Sequence, residues 1–586
     1  MQQETHSTSS GQAKQCQNCK QEFVIEHDDF SFYEKMKVPP PTWCPECRMQ
    51  RRMTWRNERA LYKRVCDLCR KEFIGVFHSR INLPVFCSTC WYSDELNAMQ
   101  YGILYDESRS FLNQFIELRE KVPRLGVIQQ GMMVNSEFTN CASNNRDCYL
   151  IFASNFNERC AFSYLIQNSI DSLDNYGLNK SELCYECIDC FNSYKLFFSH
   201  DCTDCRESAF LFNCRNCINC FLSNNLVNKK YYIFNEPHQK EDYLREIKKI
   251  SERAGIEGCR SLFEKMKKGA IVKYMTGTHN TNVSGDWLWE CNNTSESFRC
   301  RSVEDGKYLY QITEAKDCMD FHSWGRRCEL MYEVMTSGYQ CSNLAFTNNC
   351  WDGNHSLRYC DSCRSSSNLF GCIGLHSKQY CILNKQYTKE EYENLIPKII
   401  ESMNAIPYID AKGRVYKYGE FFPSELSLFA YNETFAQEYF PLSKDEALAR
   451  GYSWRDQETK NYKITKKSID LPSNIQSVDD SILNEIIQCE HNQTCAHQCT
   501  KAFKIIESEL QFYKKINLPL PRLCPNCRHY ERLAQRNPLK LWHRQCMCDK
   551  QHPHHTGRCP NEFETSYSPD RKEIVYCEQC YQQEVV

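Results

Sequence analysis

Three spacings organise the apolar and polar positions of this chain, and each predicts a different element. Apolar residues recur at helical spacing at Phe111, Phe115 and Leu118, at Tyr243, Leu244, Ile247 and Ile250, and at Tyr392, Leu395, Ile396 and Ile399. Each stripe marks a helix face that is buried. The second spacing is a triplet: Cys187-x2-Cys190-x2-Ser193-x2-Leu196 recurs from Cys202 to Leu211 and from Cys217 to Leu226, a period of 15. Small or apolar residues held in phase over a short fixed period mean coils stacked on one another. The flanking SYKLFFS, SAFLF and KYYIF are aromatic and β-favouring, so the coils are read as β. In the third pattern, Cys44-Pro-x-Cys47-Arg48 leads into a charged run without proline, which starts a helix at Pro45.

Two duplications overlie these patterns. Cys19, Phe23, Tyr33, Pro39, Cys44, Cys47, Arg48, Arg52, Arg56, Asn57, Arg64 and Cys66 each recur 480 positions later, from Cys499 to Cys546. After a ten-residue insertion, Cys69, Glu72, Phe73, Cys87 and Cys90 recur 490 positions later, ending at Cys580. A duplication that keeps its cysteines while other positions drift is a duplication of metal ligands. The coil region is itself repeated at an offset of 149, with Asn228 to Asn235 returning as Ser377 to Asn384, although its second half has lost much of the strict period. Residues 404–488 are rich in aromatics and proline, without a clear period.

The expected layout is therefore a disordered tail (1–14), a double zinc module (15–95), a helical linker (96–132), a β-solenoid segment (133–235), a helical cap and linker (236–280), a second β-solenoid segment (281–384), a helix with an aromatic, Pro-rich region (385–488) and a second double zinc module (489–586). The fold class is multidomain: treble-clef or zinc-ribbon modules at both ends flank tandem Cys-rich, β-helix-like repeats with capping helices.

Composition decides how the cysteines are read. There are 40 of them, 8 between residues 16 and 90, 22 between 141 and 381, and 10 between 489 and 580. The polar start MQQETHSTSSGQAKQ has no apolar export core, and no apolar run is long enough to span a membrane. Reduced thiols, metal and a cytoplasmic location are thus expected rather than a disulfide scaffold. The net charge of −2 makes no case for nucleic acid on bulk charge.

Paired Cys-x2-Cys turns each aim two sulfurs at one ion, which suits tetrahedral structural zinc. The expected ligand sets are Cys16, Cys19, Cys44 and Cys47; Cys66, Cys69, Cys87 and Cys90; Cys495, Cys499, Cys524 and Cys527; and Cys546, Cys559, Cys577 and Cys580, about four zinc ions in all. A crossed pairing of Cys44/Cys47 with the next pair remains open, with sequential sites preferred. Cys489 and His491 lie near the third set as spare donors. Cys548, His552, His554 and His555 lie near the fourth, where the histidines are first read as a solvated loop.

Cys19-KQEF-VIEHDD-x2-FYEK-x2-VPPP-x2-CPECR resembles a small bacterial zinc-ribbon family of treble-clef type. The resemblance covers roughly residues 15 to 52 and 495 to 532, with a diverged second unit after each, and the whole layout is similar to Cys-rich bacterial proteins. It implies zinc binding and assigns no reaction. The chain departs from the family pattern at Cys495-x3-Cys499.

Arg48, Arg52 and Arg56 step by four and share a helix face, repeated by Arg528, Arg532 and Arg536. With Trp55, Tyr62 and Trp542 nearby, these faces are candidates for nucleic acid, RNA included; pairing with acids or simple solvation is the plainer account. In the coil, Cys187, Cys202 and Cys217 would form one column and Cys190, Cys205 and Cys220 another, as core packing or as a metal or thiol store. No phosphate loop, GxSxG elbow or HExxH is present, so no enzyme is expected. The expected function is a non-catalytic zinc scaffold that docks nucleic acid; the alternative is a protein-interaction or metal- and thiol-handling assembly.

Overall fold

The computed structural model describes residues 11–310, 313–316, 318–320, 325, 328–329, 331–338, 340–456 and 463–585. The expected tail falls mostly outside these residues, but Gln12–Gln15 is ordered, pairing antiparallel with Glu22–Ile25. The chain is a multidomain α/β protein with two compact units, each assembled from separated stretches of sequence. One unit holds residues 1–126, 275–455 and 539–541, and the other holds 127–274, 456–538 and 542–586. The N-terminal cysteine module thus folds with the second coil segment, and the C-terminal module with the first.

The first coil segment shows what the triplet spacing encodes. Tyr185 pairs in parallel with Phe197, Ile188 with His200 and Phe191 with Thr203, and Arg206 pairs with Ile218, which pairs with Lys230. One turn of the coil is therefore 12 residues, not 15. The chain bends at every third residue through the left-handed region, as at Asp189, Asn192, Lys195, Phe198, Asp201 and Asp204, with φ between 48° and 56°. The residue two positions before each bend points inward, and these are Cys187, Cys190, Ser193, Leu196 and their equivalents, all buried. Fifteen and 12 share the factor three, so the phase of the inward positions is right while the stacking columns differ. The columns run Cys190–Cys202–Cys214 and Ser193–Cys205–Cys217, correcting the expected Cys187–Cys202–Cys217 and Cys190–Cys205–Cys220.

Inside this narrow core, the small polar side chains satisfy the backbone. The Ser193 hydroxyl donates to the Phe191 carbonyl (2.9 Å) and accepts from the Cys205 N–H (3.3 Å). The Cys187 thiol donates to the Leu196 carbonyl at 3.2 Å. Serine, cysteine and asparagine can therefore alternate with leucine, because each fills the space and the polar ones satisfy the carbonyls of the turn. The second segment is less regular: Ser367 pairs with Gln379, 12 residues on, but Leu344 pairs with Leu357, 13 on, and Thr281 with Asn292, 11 on. Turns of unequal length explain the lost period.

Each segment ends by folding its last strand back. Lys230–Ile233 pairs antiparallel with Glu236–Pro237, and Gln379–Ile382 with Lys385–Gln386, which closes an otherwise open parallel edge. The expected helices follow at Lys240–Lys268 and Lys389–Ala405. The first bends at Gly255, where φ is +63°, and beyond the bend Phe263 lies against Phe210, ring centroids 5.8 Å apart. This helix runs along the flank of the last coils. The expected linker helix spans Phe111–Lys121, with Phe111, Phe115 and Leu118 buried. Residues 404–455, undescribed by any sequence period, form a short hairpin (Tyr408–Ile409 with Val415–Tyr416) and short helical turns. No described helix is long and apolar enough to cross a membrane.

Candidate metal centres

Each module builds its site from a knuckle and a helix N-terminus. In the first, the turn after Cys16 brings the Cys16 carbonyl to the Lys20 N–H (3.0 Å), with Lys20 at φ +63°. The helix Pro45–Met53 begins after Cys44, with proline at its first position, where no N–H is missed. The Cys44 N–H donates to Cys16 Sγ at 3.3 Å, tying knuckle to helix. The same bond recurs from Cys87 to Cys66 Sγ at 3.3 Å, from Cys524 to Cys489 Sγ at 3.2 Å and from Cys577 to Cys546 Sγ at 3.2 Å.

The ligand atoms of Cys16, Cys19, Cys44 and Cys47 all lie within 4.8 Å of one another, as do those of Cys66, Cys69, Cys87 and Cys90 and those of Cys546, Cys559, Cys577 and Cys580. These sets are sequential, not crossed. The third set is Cys489, Cys499, Cys524 and Cys527. Cys489, not Cys495, takes the first-ligand place, because the knuckle here is a nine-residue loop where Cys16-x2-Cys19 has two residues. Cys495 instead meets His491, His497 and Cys527.

Within these sets the close approach of the thiols splits their ionisation. Cys16 is held well below the usual thiol range by the thiols of Cys44 and Cys47, while Cys44 is pushed up to about 12 by its bond to Cys16. Cys489 is likewise pushed up to about 12 by its bond to Cys524. One thiolate ionises readily and the repulsion it creates keeps its neighbours protonated; a divalent ion removes that conflict. In the coil, burial pushes the thiols of Cys187, Cys202 and Cys363 well above their ordinary range, while Cys190 falls to about 5, its bonds to the Cys187 and Cys202 thiols outweighing the burial that opposes ionisation. The raised thiols act as donors in a packed core.

The arginine faces lie inside the units, which corrects their reading as a surface for nucleic acid. Arg48 and Arg52 pair with Asp320 at 2.6 and 3.3 Å, and Arg52 also meets Glu333 at 3.5 Å. Arg51 bridges Glu333 (2.6 Å) and Glu420 (2.9 Å) and lies over Trp43, 4.4 Å from the ring. Arg56 bonds Glu58 and Thr336. In the other unit Arg528 and Arg532 share Asp174 at 2.6 and 2.8 Å, and Arg536 meets Asp189 at 3.5 Å and lies over Tyr176. Trp55 is buried against Phe421 and Phe422, and Tyr62 donates to Glu433. Pairing with acids was the plainer account of these arginines, but Asp320, Glu333, Glu420, Asp174 and Asp189 lie hundreds of residues from them and carry no local motif that singles them out. Arg51 lies outside the face on which Arg48, Arg52 and Arg56 step by four, and its counterpart 480 residues later is Glu531.

No family model matches this chain, and no curated protein does. Among solved structures, one from Desulfovibrio desulfuricans G20 described as a "putative acetyltransferase" aligns with 10% identity over 50% of this chain and 75% of that one, at a TM-score of 0.10. So low a score carries no argument about fold or function.

Proposed function

We propose that this protein is a non-catalytic, zinc-stabilised scaffold, in which zinc-ribbon modules of treble-clef type lock onto tandem β-solenoid segments that offer their outer faces to a protein partner. The observation that carries this reading is the repeated use of the module arginines: in both units the helix after the Cys-Pro-x-Cys turn spends its guanidinium groups on buried carboxylates of its own unit. Burying charges is costly unless they are paired, so such networks serve registry between parts. Thiolate ligands in sets of four favour zinc as the ion and leave no open position for catalysis.

Nucleic-acid docking is the second reading. What weighs against it is that Arg48, Arg52, Arg528 and Arg532 are each less than 5% exposed. The test is titration of the full-length protein with single- and double-stranded RNA and DNA at about 50 mM salt, beside affinity capture of protein partners. Salt-independent capture of a defined protein, with no nucleic-acid complex, is the expected result. A salt-dependent nucleic-acid complex would overturn the scaffold reading.

A further inference from the structure

The two C-terminal modules differ from the N-terminal ones in the same place and in the same way. In both, the knuckle has been opened by an insertion: Cys16-x2-Cys19 becomes Cys489-x9-Cys499, and Cys66-x2-Cys69 becomes Cys546-x12-Cys559. Each insertion brings further soft donors, His491, Cys495 and His497 in one and Cys548, His552, His554 and His555 in the other. Both sets converge on the same ligand, the second cysteine of the helix-borne pair. Cys495 Sγ lies 3.7 Å from Cys527 Sγ, which is also 3.8 Å from Cys489 Sγ. In the other module His554 Nε2 and His555 Nε2 lie 3.3 and 3.2 Å from Cys580 Sγ, and Cys548 Sγ lies 3.3 Å from His552 Nε2. With zinc bonds of roughly 2.3 Å to sulfur and 2.0–2.1 Å to nitrogen, a tetrahedron has edges of about 3.8 Å between sulfurs and about 3.5 Å between sulfur and nitrogen.

We propose that each C-terminal module holds a pair of zinc ions bridged by one thiolate, Cys527 in the first and Cys580 in the second. This rests on the metal-binding reading above and goes beyond it. The histidines are oriented as ligands. His555 Nδ1 bonds the Gly557 carbonyl at 2.8 Å, which leaves Nε2 with its lone pair toward Cys580. His491 Nε2 faces Glu531 at 3.5 Å, and the Nδ1 atoms of His491 and His497 are buried without a hydrogen-bond partner.

Burial supplies the reason for a second ion. In the N-terminal sets Cys19 and Cys69 are exposed, whereas all four cysteines of each C-terminal set are buried. One zinc in four thiolates leaves a charge of roughly −2, which is costly away from water; five thiolates around two zincs leave roughly −1. Five is the number each C-terminal module contains: Cys489, Cys495, Cys499, Cys524 and Cys527, then Cys546, Cys548, Cys559, Cys577 and Cys580. Binding releases thiol protons and involves no change of oxidation state.

The test is the zinc content of the full-length protein, purified without an affinity tag and measured by elemental analysis and native mass spectrometry. About six ions are expected, against about four if each module holds one. Cys495→Ser/His497→Ala and, separately, His554→Ala/His555→Ala should each lose one ion and keep the rest, since neither replaces a member of a set of four cysteines. About four ions in the parent, with both variants unchanged, would overturn the inference and leave the metal-binding reading standing. Little or no zinc would remove both. The bridge is read from a cobalt(II)-substituted sample: ions sharing a thiolate couple antiferromagnetically, and a magnetic moment equal to that of isolated ions would refute the bridge.

Discussion

At the scale of the residue, Asp174 and Glu509 show how one buried site apportions charge. Arg528 and Arg532 both bind Asp174, whereas Glu509 receives a 3.1 Å contact from Arg528 and long bonds from the Tyr513 hydroxyl and the Ile506 N–H, each at 3.4 Å. Burial raises the Glu509 carboxyl from 4.5 to about 7. Asp174→Asn leaves two buried arginines short of a counter-charge and should cost about 3 kcal/mol in denaturant unfolding of the unit that contains it; Asn tolerates the left-handed backbone at this position (φ +58°), so the charge is isolated. Glu509 adds a pH dependence. The folded chain keeps its proton up to about 7, and the unfolded chain only to about 4.5, so between these values the folded form binds more protons. That contribution is fully present below 4.5 and is lost as pH rises through 7, at up to about 1.4 kcal/mol per unit. Stability of this unit between pH 5.5 and 7.5 should therefore fall less steeply in Glu509→Gln, and an unchanged slope would place the proton elsewhere.

At the scale of the element, the coil is a backbone pattern before it is a sequence pattern. Every third residue must adopt positive φ, and Asn168 does so at +50° while exposed to solvent. Asn168→Val should destabilise the first segment by about 1–2 kcal/mol, and Asn168→Gly should be nearly neutral, as followed by thermal unfolding; the side chain is exposed, so the contrast reports chiefly the backbone. The triplet was legible because Cys-x2-Cys-x2-Ser-x2-Leu marks the inward positions directly. The size of the turn was not, because serine, cysteine, asparagine and leucine substitute for one another in the inward columns, and a chance recurrence at 15 imitates a structural repeat of 12. The metal sets were legible for a similar local reason, since two ligands sit in one tight turn. Cys489 stood only as a spare donor because an inserted loop breaks that turn's spacing, and the arginine faces were misplaced because amphipathic spacing reports which side of a helix carries charge, not whether carboxylates from a distant segment cover it.

At the scale of the whole molecule, the chain order and the unit order cross. The N-terminal module belongs with residues 275–455, and the C-terminal module with 127–274. Metal binding at one end should therefore stabilise a coil segment that does not adjoin it in sequence. Cys44→Ser removes a ligand from the first site, and for so small a core the binding energy is folding energy. Without that module, Asp320, Glu333 and Glu420 lose the cations that pay for their burial. Hydrogen exchange on the full-length variant should accelerate in residues 27–53 and around Asp320, Glu333 and 415–455, and remain at the parent rate in 127–274. Faster exchange spreading instead through 127–274 would mean that the module supports the segment it precedes in sequence. The reciprocal variant, Cys524→Ser, should reverse the pattern, because Asp174 and Asp189 then lose Arg528, Arg532 and Arg536. The two variants together separate a rule of the units from a general loss of stability, since only the unit architecture predicts that each end of the chain protects the far coil.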